Sequence, residues 1–485
     1  MSTDPLDILN VVQRLEVGPV KIEKKRLIAP YRLFQNNAED SIDLIYHYDE
    51  PVFTPGDANS QNLANMIAAQ VALNYGLFCD EIRFRGYFDD ADRKFLNDMA
   101  INTACEIYVK KFLEPNPFLI GDAAKLPAIK KESYLRAKLT FDSDADGNLH
   151  PWQADRGKFC VLSSGGKDSL LSYGLLEELG YSAHPIFVNE SGRHWYTALN
   201  GYRYLKEVQP NTSRVWTNAD RLFTWMLRHL PFVRQDFARL RSDEYPIRLW
   251  TVAVFLFGVL PLVQKRGLGR IVIGDEFDTS RKVYHERIMH YDGLYDQSRY
   301  FDDAMSEYYQ RKAWGVSQFS IIRQLSELLI VKILAQRYPE LQEHQVSCHA
   351  AHIEGDRVYP CGNCEKCRRI VGMLTAIGAD PKRCGYNKQQ IDFSLQQLTV
   401  KGVHQEDEGA QHLIYLLNQQ GLISEPTVLI EPHDEVLKIR IDPDCSPIET
   451  VPAELRLPLF KIWLDYAQGA IRKENGKWVE FEISE

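Results

Sequence analysis

The chain has 485 residues, 45% hydrophobic and 25% charged, with a net charge of -9. That length and apolar content allow two or three domains with sizeable cores, and the acidic balance argues against a nucleic acid held by bulk electrostatics. The longest apolar stretch, Leu249 to Val263, is broken by Gly258 and Pro261 and falls short of the ~20 residues of a membrane span, so it reads as a buried helix.

In chain order, the basic run Lys21 to Arg26 reads as a solvated face. Ser41 to Tyr48 alternates well enough for a strand. Ser60 to Tyr75 carries a helical stripe of Leu63, Met66, Ile67 and Val71. Asp90 to Phe112 predicts a second helix with an acidic cap, ended by Pro115 and Pro117. Residues 1–150 therefore form an α+β domain in which no residue looks catalytic. The polar stretch Thr140 to Gly157 is a linker. Its run Asp142 to Gly147 resembles half of a calcium loop, but Gln153 stands where the closing Glu belongs.

Phe159 to Ser163 is an apolar strand that runs into Ser164-Gly165-Gly166-Lys167-Asp168-Ser169, and a helix from Leu170 to Leu179 stops at Gly180. Two glycines let the backbone turn tightly and aim several N–H groups, with a helix N-terminus behind them, at an anion. The hydroxyls of Ser163, Ser164 and Ser169 add donors, Lys167 adds positive charge, and Asp168 is placed to hold a magnesium ion that bridges phosphates. The spacing is not that of a Walker loop.

Strands and helices then alternate. Strands are expected at Ala183 to Asn189, Ser213 to Thr217 and Gly269 to Gly274, with helices at Asn200 to Val208 and Ile247 to Val263. Such alternation predicts a doubly wound parallel sheet with ligands at the carboxyl ends of its strands. Asn189-Glu190-Ser191, Asn218-Ala219-Asp220 and Asp275-Glu276 fall at such ends and outline one crevice with the loop. Arg281 to Arg299 has no clean period and reads as a lid, from which Arg281, Lys282 and Arg299 are candidates to meet a substrate's anionic groups. Ser317 to Tyr338 predicts one long helix on which Arg323 and Glu327, four apart, pair.

Nine cysteines, an odd number with one tight cluster, and no signal peptide point to a reduced, cytoplasmic protein. The cluster is Cys361-x2-Cys364-x2-Cys367 with Cys348 as the fourth sulfur, a set that suits tetrahedral structural zinc, with an iron–sulfur cluster as the alternative. His349 and His352 are alternative ligands, and Cys384 is left free. The tail, residues 396–485, predicts a helix at Ala410 to Gln419, strand character at Val428 to Ile441, a helix at Ala453 to Ile471 and a closing strand at Trp478 to Ile483. It carries no visible chemistry and is expected to pack or to form a contact between copies of the chain.

The segment Ser-Gly-Gly-x-Asp-Ser after a strand, Ser164 to Ser169, resembles the pyrophosphate loop of the PP-loop, or N-type, ATP pyrophosphatases. With C…CGxCxxC downstream, the chain is similar to the 7-cyano-7-deazaguanine synthases. In layout it is closer to the UDP-N-acetylmuramoyl-L-alanyl-L-glutamate epimerase family, which also places an α+β domain before the loop. That family shares Gly-Gly-Lys-Asp-Ser, a helix like Ile322 to Leu328, and Ser347-Cys348 followed by Cys361-Gly-x-Cys364-x-Lys366-Cys367. The chain departs from it at Asp275-Glu276-Phe277-Asp278, where the family has an Asn-Glu-Arg-Ser type segment, and at Val400 to Glu406 in place of Glu-Cys-Val-Gly.

The resemblance implies a PP-loop domain over residues 151–395 with a zinc knuckle at 348–367, preceded by the α+β domain and followed by a small extension. It implies ATP, magnesium and zinc as cofactors, and a small-molecule carboxylate that is adenylated and then epimerised, amidated or turned into a nitrile. Ser163, Ser164, Gly165, Gly166, Lys167, Asp168, Ser169, Asn189 and Asp275 would bind the nucleotide, with Lys167 and Asp168 catalytic. Two rivals remain. A tRNA-modifying enzyme needs a basic, aromatic-lined surface, and a non-catalytic nucleotide-binding module would not need an intact Lys167, Asp168 and Ser169.

Overall fold

A computed structural model describes residues 4–143, 150–192, 194–240, 247–348, 350–401, 403, 406–424 and 430–483. The first part of the chain builds β1 (Val12–Val17), β2 (Lys21–Glu23), β3 (Arg26–Gln35), β4 (Ala38–Tyr48), α1 (Ala58–Ala69), β5 (Cys79–Tyr87), α2 (Asp90–Ile107) and β6 (Lys138–Ser143). There follow β7 (Asp155–Ser163), α3 (Lys167–Glu178), β8 (Ser182–Asn189), α4 (His194–Val208), β9 (Ser213–Thr217), α5 (Ala219–Arg228), α6 (Val252–Arg266) and β10 (Leu268–Ile273). Next come β11 (Lys282–His285), β12 (Ile288–Tyr291), α7 (Arg299–Arg311), β13 (Ser317–Phe319), α8 (Glu327–Arg337), α9 (Pro339–Gln342), β14 (His352–Glu354), β15 (Arg357–Tyr359) and α10 (Glu365–Ala376). The chain closes with α11 (Lys388–Lys401), α12 (Asp407–Gln419), β16 (Ile439–Ile441), α13 (Ala453–Leu464), β17 (Ala470–Glu474) and β18 (Lys477–Glu480).

The protein is α/β, built on one mixed, mostly parallel sheet of 11 strands in the order β13-β10-β7-β8-β9-β4-β3-β1-β5-β6, with β2 beside β3. The strands β13, β10, β7, β8 and β9 are all parallel. The chain enters this half at β7, moves outward through β8 and β9, and returns to the other side of β7 as β10 and β13. The winding therefore reverses between β7 and β10, the position at which open α/β sheets bind ligands.

Both faces of these strands are covered. Phe159 and Val161 of β7 lie in a core with Leu170 and Leu171 of α3 and Leu329 and Ile330 of α8. Cys160 lies in the other core, with Leu256 and Leu260 of α6. Strands buried on both faces read as continuous apolar runs, which is why this part of the sequence shows little alternation.

Residues on the two sides of the expected boundary at 150 share the sheet. Antiparallel pairing of β4 with β9 sets Tyr46 opposite Thr217 and Tyr48 opposite Val215. The side chain of Asn218, expected at the mouth of the crevice, stitches this seam. It accepts from the Ile45 N–H at 2.7 Å and donates to the Asp43 carbonyl at 2.8 Å. The run Leu249 to Val263 is largely α6, and among the described residues no helix is long and apolar enough to cross a membrane.

Several expectations change. Ser317 to Tyr338 is not one helix: Ser317–Phe319 pairs with β10, and only Glu327–Arg337 is helical, with Ser326 capping it through the Leu329 N–H. A run apolar on all sides carries no period to separate a buried strand from a buried helix. Arg323 accordingly does not pair with Glu327. It is 0% exposed and its guanidinium meets Asp302 at 2.7 Å and Asp275 at 3.4 Å. The stretch Arg281 to Arg299 is not a loop throughout but contains the hairpin β11–β12, turned at Glu286 and Arg287, both with positive φ.

In the tail, the strand expected over Val428 to Ile441 is confined to Ile439–Ile441, with residues 425–429 outside the described residues. The helix from Ala453 ends at Leu464, because Ala470 and Ile471 pair with Ile439 and Arg440. Leu459, Phe460 and Trp463 of α13 pack into the core under α3 and α8.

Arg323→Met should destabilise the fold by about 3–5 kcal/mol, since it strands two buried carboxylates without their counter-charge. A fall in the urea midpoint measures this, and an unchanged midpoint would refute the role given to Arg323.

Candidate functional site

The loop after β7 is fixed by backbone geometry. Gly165 has φ of +70°, and a Cβ there would lie 2.9 Å from the Cα of Ala198 and 3.1 Å from its carbonyl oxygen. No side chain fits that approach. Gly166 caps α3, and no side chain accepts from the first N–H groups of that helix. The N-terminus is left open to an anion. Around it, Ser163 Oγ stands 3.3 Å from Ser169 Oγ, and Ser164 Oγ accepts from the Gly166 N–H at 3.3 Å. Across the winding reversal, a Cβ on Gly274 would sit 2.7 Å from the Cβ of Asp168, so the end of β10 lies directly against the start of α3.

Lys167 is buried, and its ammonium donates to Asp168 at 2.7 Å and to Glu276 at 2.8 Å, and lies 3.2 Å from Glu327. A buried ammonium persists only with counter-charges and hydrogen bonds. Burial works against its charge, but Asp168, Glu276 and Glu327 outweigh it and hold the lysine well above its usual pKa. Burial would raise Glu327 too, yet Arg369, 3.5 Å away, and Lys167 keep it below the usual carboxylate range. Glu276 is pushed well above that range by burial, against the pull of Lys167. Asp168 and Glu276 share one ammonium and keep 27% and 19% of their side chains exposed. Two adjoining carboxylates beside an open helix N-terminus form an oxygen donor set of the kind that suits magnesium.

Asp278, two residues past Glu276, is half-buried and makes no side-chain hydrogen bond or ion pair among the described residues. Burial, with Glu406 and Glu327 beside it, pushes its pKa up to about 7, against Arg440 and Lys167.

The four cysteines expected as ligands come together. The sulfurs of Cys348, Cys361, Cys364 and Cys367 lie within 4.8 Å of one another, close enough to hold one metal ion. Cys361 and Cys367 are 3.8 Å apart, Cys348 and Cys364 3.9 Å, and Cys364 and Cys367 3.5 Å. Zinc–thiolate bonds of about 2.3 Å in a tetrahedron require sulfurs about 3.8 Å apart, so the cage suits structural zinc. Backbone N–H groups of Ala350 and Cys361 point at the Cys348 sulfur at 3.3 and 3.2 Å. The hairpin β14–β15 spans the gap between the first and second ligands. His352 is exposed and paired with Glu354, His349 lies outside the described residues, and Cys384 is buried against Gln342.

The other expected residues are more scattered. Asn189 ends β8 and accepts from the Ser191 N–H at 2.9 Å. Asp275 is buried beside Arg323, with Oδ1 unpartnered among the described residues. Arg281 lies 3.1 Å from Glu408, Lys282 stands 3.9 Å over the Tyr300 ring, and Arg299 stacks on the same ring and donates to the Asp444 carbonyl at 2.6 Å. Among the described residues no hydrogen bond or ion pair joins these three cations to residues 163–169.

Sequence reasoning placed Glu276 at the crevice with the loop, but it missed Glu327 and Arg369 as partners in the loop's charge network, and it missed Asp278. The signal was physical: a lysine at the start of a buried helix needs carboxylates, but nothing in one dimension says which.

The chain matches no protein-family model, and a search of curated proteins gives no match.

The purified protein should carry about one zinc per chain. Cys364→Ser should lose the metal and lower the thermal midpoint, because a structural metal contributes folding free energy directly. Metal analysis that finds iron with labile sulfide, or no metal, would reject the zinc assignment.

Proposed function

We propose that the chain is an adenylating enzyme of the ATP pyrophosphatase type, acting on a small-molecule carboxylate. The observation that carries the reading is the open, glycine-turned helix N-terminus of α3 at the winding reversal between β7 and β10, with a buried cation and two carboxylates beside it.

In this reading the open N-terminus of α3, the Gly165-Gly166 turn before it and the hydroxyls of Ser163, Ser164 and Ser169 hold the β- and γ-phosphates of ATP, and Asn189 flanks the nucleotide, while Asp275, buried against Arg323, supports the site rather than lining it. A carboxylate oxygen of the substrate attacks the α-phosphorus. The bond from that phosphorus to the β-bridging oxygen breaks, and pyrophosphate leaves with the electron pair. Asp168 with Glu276 would hold magnesium, which offsets charge on the phosphates. Lys167, its donors taken up by Asp168, Glu276 and Glu327, keeps those carboxylates in place. Of the three lid cations, Lys282 is the one with no carboxylate partner among the described residues, and it is the first candidate for a further anionic group of the substrate.

Asp278 favours epimerisation as the step after adenylation. Conversion of a carboxylate into an acyl-adenylate acidifies its α-proton, and Asp278, two residues past Glu276, half-buried, without a side-chain partner among the described residues and with its pKa pushed up to about 7 by burial, is suited to take that proton at neutral pH. Return of a proton from solvent to the opposite face then inverts the centre, and water cleaves the acyl-adenylate to the free acid and AMP.

Spent nucleotide from ATP, magnesium and an accepted carboxylate should be AMP with pyrophosphate, and Asp168→Asn should abolish AMP formation while the fold persists. ADP and orthophosphate as the main products would overturn the reading. Asp278→Asn should keep AMP formation but stop incorporation of deuterium from solvent at the substrate's α-carbon. Exchange at the wild-type rate in that variant would remove epimerisation from the proposal.

A further inference from the structure

The donors of Lys167 are committed. Its ammonium is met by carboxylate oxygens of Asp168, Glu276 and Glu327 at 2.7, 2.8 and 3.2 Å, and a lysine has three N–H donors. A pyrophosphate at the loop would therefore find this charge neutralised several times over. It needs a cation whose donors are free.

The metal knuckle supplies two cations to this neighbourhood. Arg369 stands on α10 just beyond the ligand Cys367, and its Nε lies 3.5 Å from the Glu327 carboxylate that also meets Lys167. A continuous chain of charge thus runs from the knuckle helix through Arg369 and Glu327 to the phosphate loop. Lys366 lies between the ligands Cys364 and Cys367, in the second position of α10. It is half-buried, makes no hydrogen bond or ion pair among the described residues, and stands three residues before Arg369 on the same face of α10, the face that meets Glu327.

We propose that the knuckle completes the anion site: Arg369 holds Glu327, and through it Lys167, in place, while Lys366 is the cation that contacts the pyrophosphate unit. Arg369 is a positioning residue and Lys366 a binding one. The metal cage then has a consequence beyond stability, since folding Cys361 to Cys367 around an ion sets the direction in which the intervening lysine projects. The inference rests on the adenylation reading for the identity of the anion, but not for its test.

The test is calorimetric titration of the intact protein with magnesium pyrophosphate, alongside metal analysis of each variant. Lys366→Met should keep its metal and bind pyrophosphate weaker by about tenfold or more, the scale of a lost hydrogen bond to a charged group, and Lys366→Arg should recover most of the affinity. Arg369→Met should weaken binding and Arg369→Lys restore part of it. If Lys366→Met loses its metal, Lys366→Gln, which keeps length and polarity, takes its place in the comparison. Wild-type affinity in a metal-loaded Lys366→Met or Lys366→Gln protein overturns the proposal. Binding that depends on Lys366 in a protein that forms no AMP from ATP would instead refute adenylation and leave the anion site standing.

Discussion

A lysine buried at the first turn of a helix cannot be accommodated by its own segment. Lys167 is drawn inward because the glycine turn before it folds the start of α3 against the end of β10, and once there its charge needs partners. Those partners arrive from the end of β10, as Glu276, and from the start of α8, as Glu327. The cost of a lone buried ammonium would be several kcal/mol, and the compensating carboxylates in turn need Arg369. Three distant segments are fixed relative to one another by this one constraint. The site exists because the sheet brings them to the same point.

The sheet itself does more than carry the site. The parallel half winds outward in both directions from β7, and the reversal falls at the β7–β10 junction, the position at which open α/β sheets bind ligands. The antiparallel strands from the first part of the chain continue the sheet beyond β9, sealed by Asn218 and by Tyr48, whose hydroxyl donates to the Gly258 carbonyl at 2.9 Å. They contribute no group to the loop's charge network among the described residues. Their role is to cover and extend one edge of the parallel half, as an edge strand left bare invites pairing with another chain.

A second buried network supports the region from below. Arg323 is sunk between Asp302 and Asp275 and also donates to Thr279 and Ser280, so it ties the end of β10, the turn after it and the helix α7 into one unit. Asp275 is thus tied to the support, while its neighbour Glu276 faces the loop. Adjacent residues in extended chain point to opposite sides, which is how two acids side by side come to serve two different networks.

What the sequence determined alone was what neighbours in the chain can specify. Two glycines between a strand and a helix dictate a tight turn and an open helix N-terminus. Three cysteines at two-residue spacing dictate a cage. Alternating strands and helices dictate a parallel sheet. Each follows from local geometry, and each is present in the structure. The long apolar run after Ser317 was not decided this way, because a segment buried on every side has no polar face to reveal its period; hydrogen bonding to β10 made its first part a strand. Nor could the sequence say that Glu327 would answer to Lys167 and Arg369 while Arg323 turned to Asp302. Charge pairing in an interior is settled by which carboxylates the packed backbone brings within about 4 Å of an ammonium or guanidinium, and that is a property of the fold.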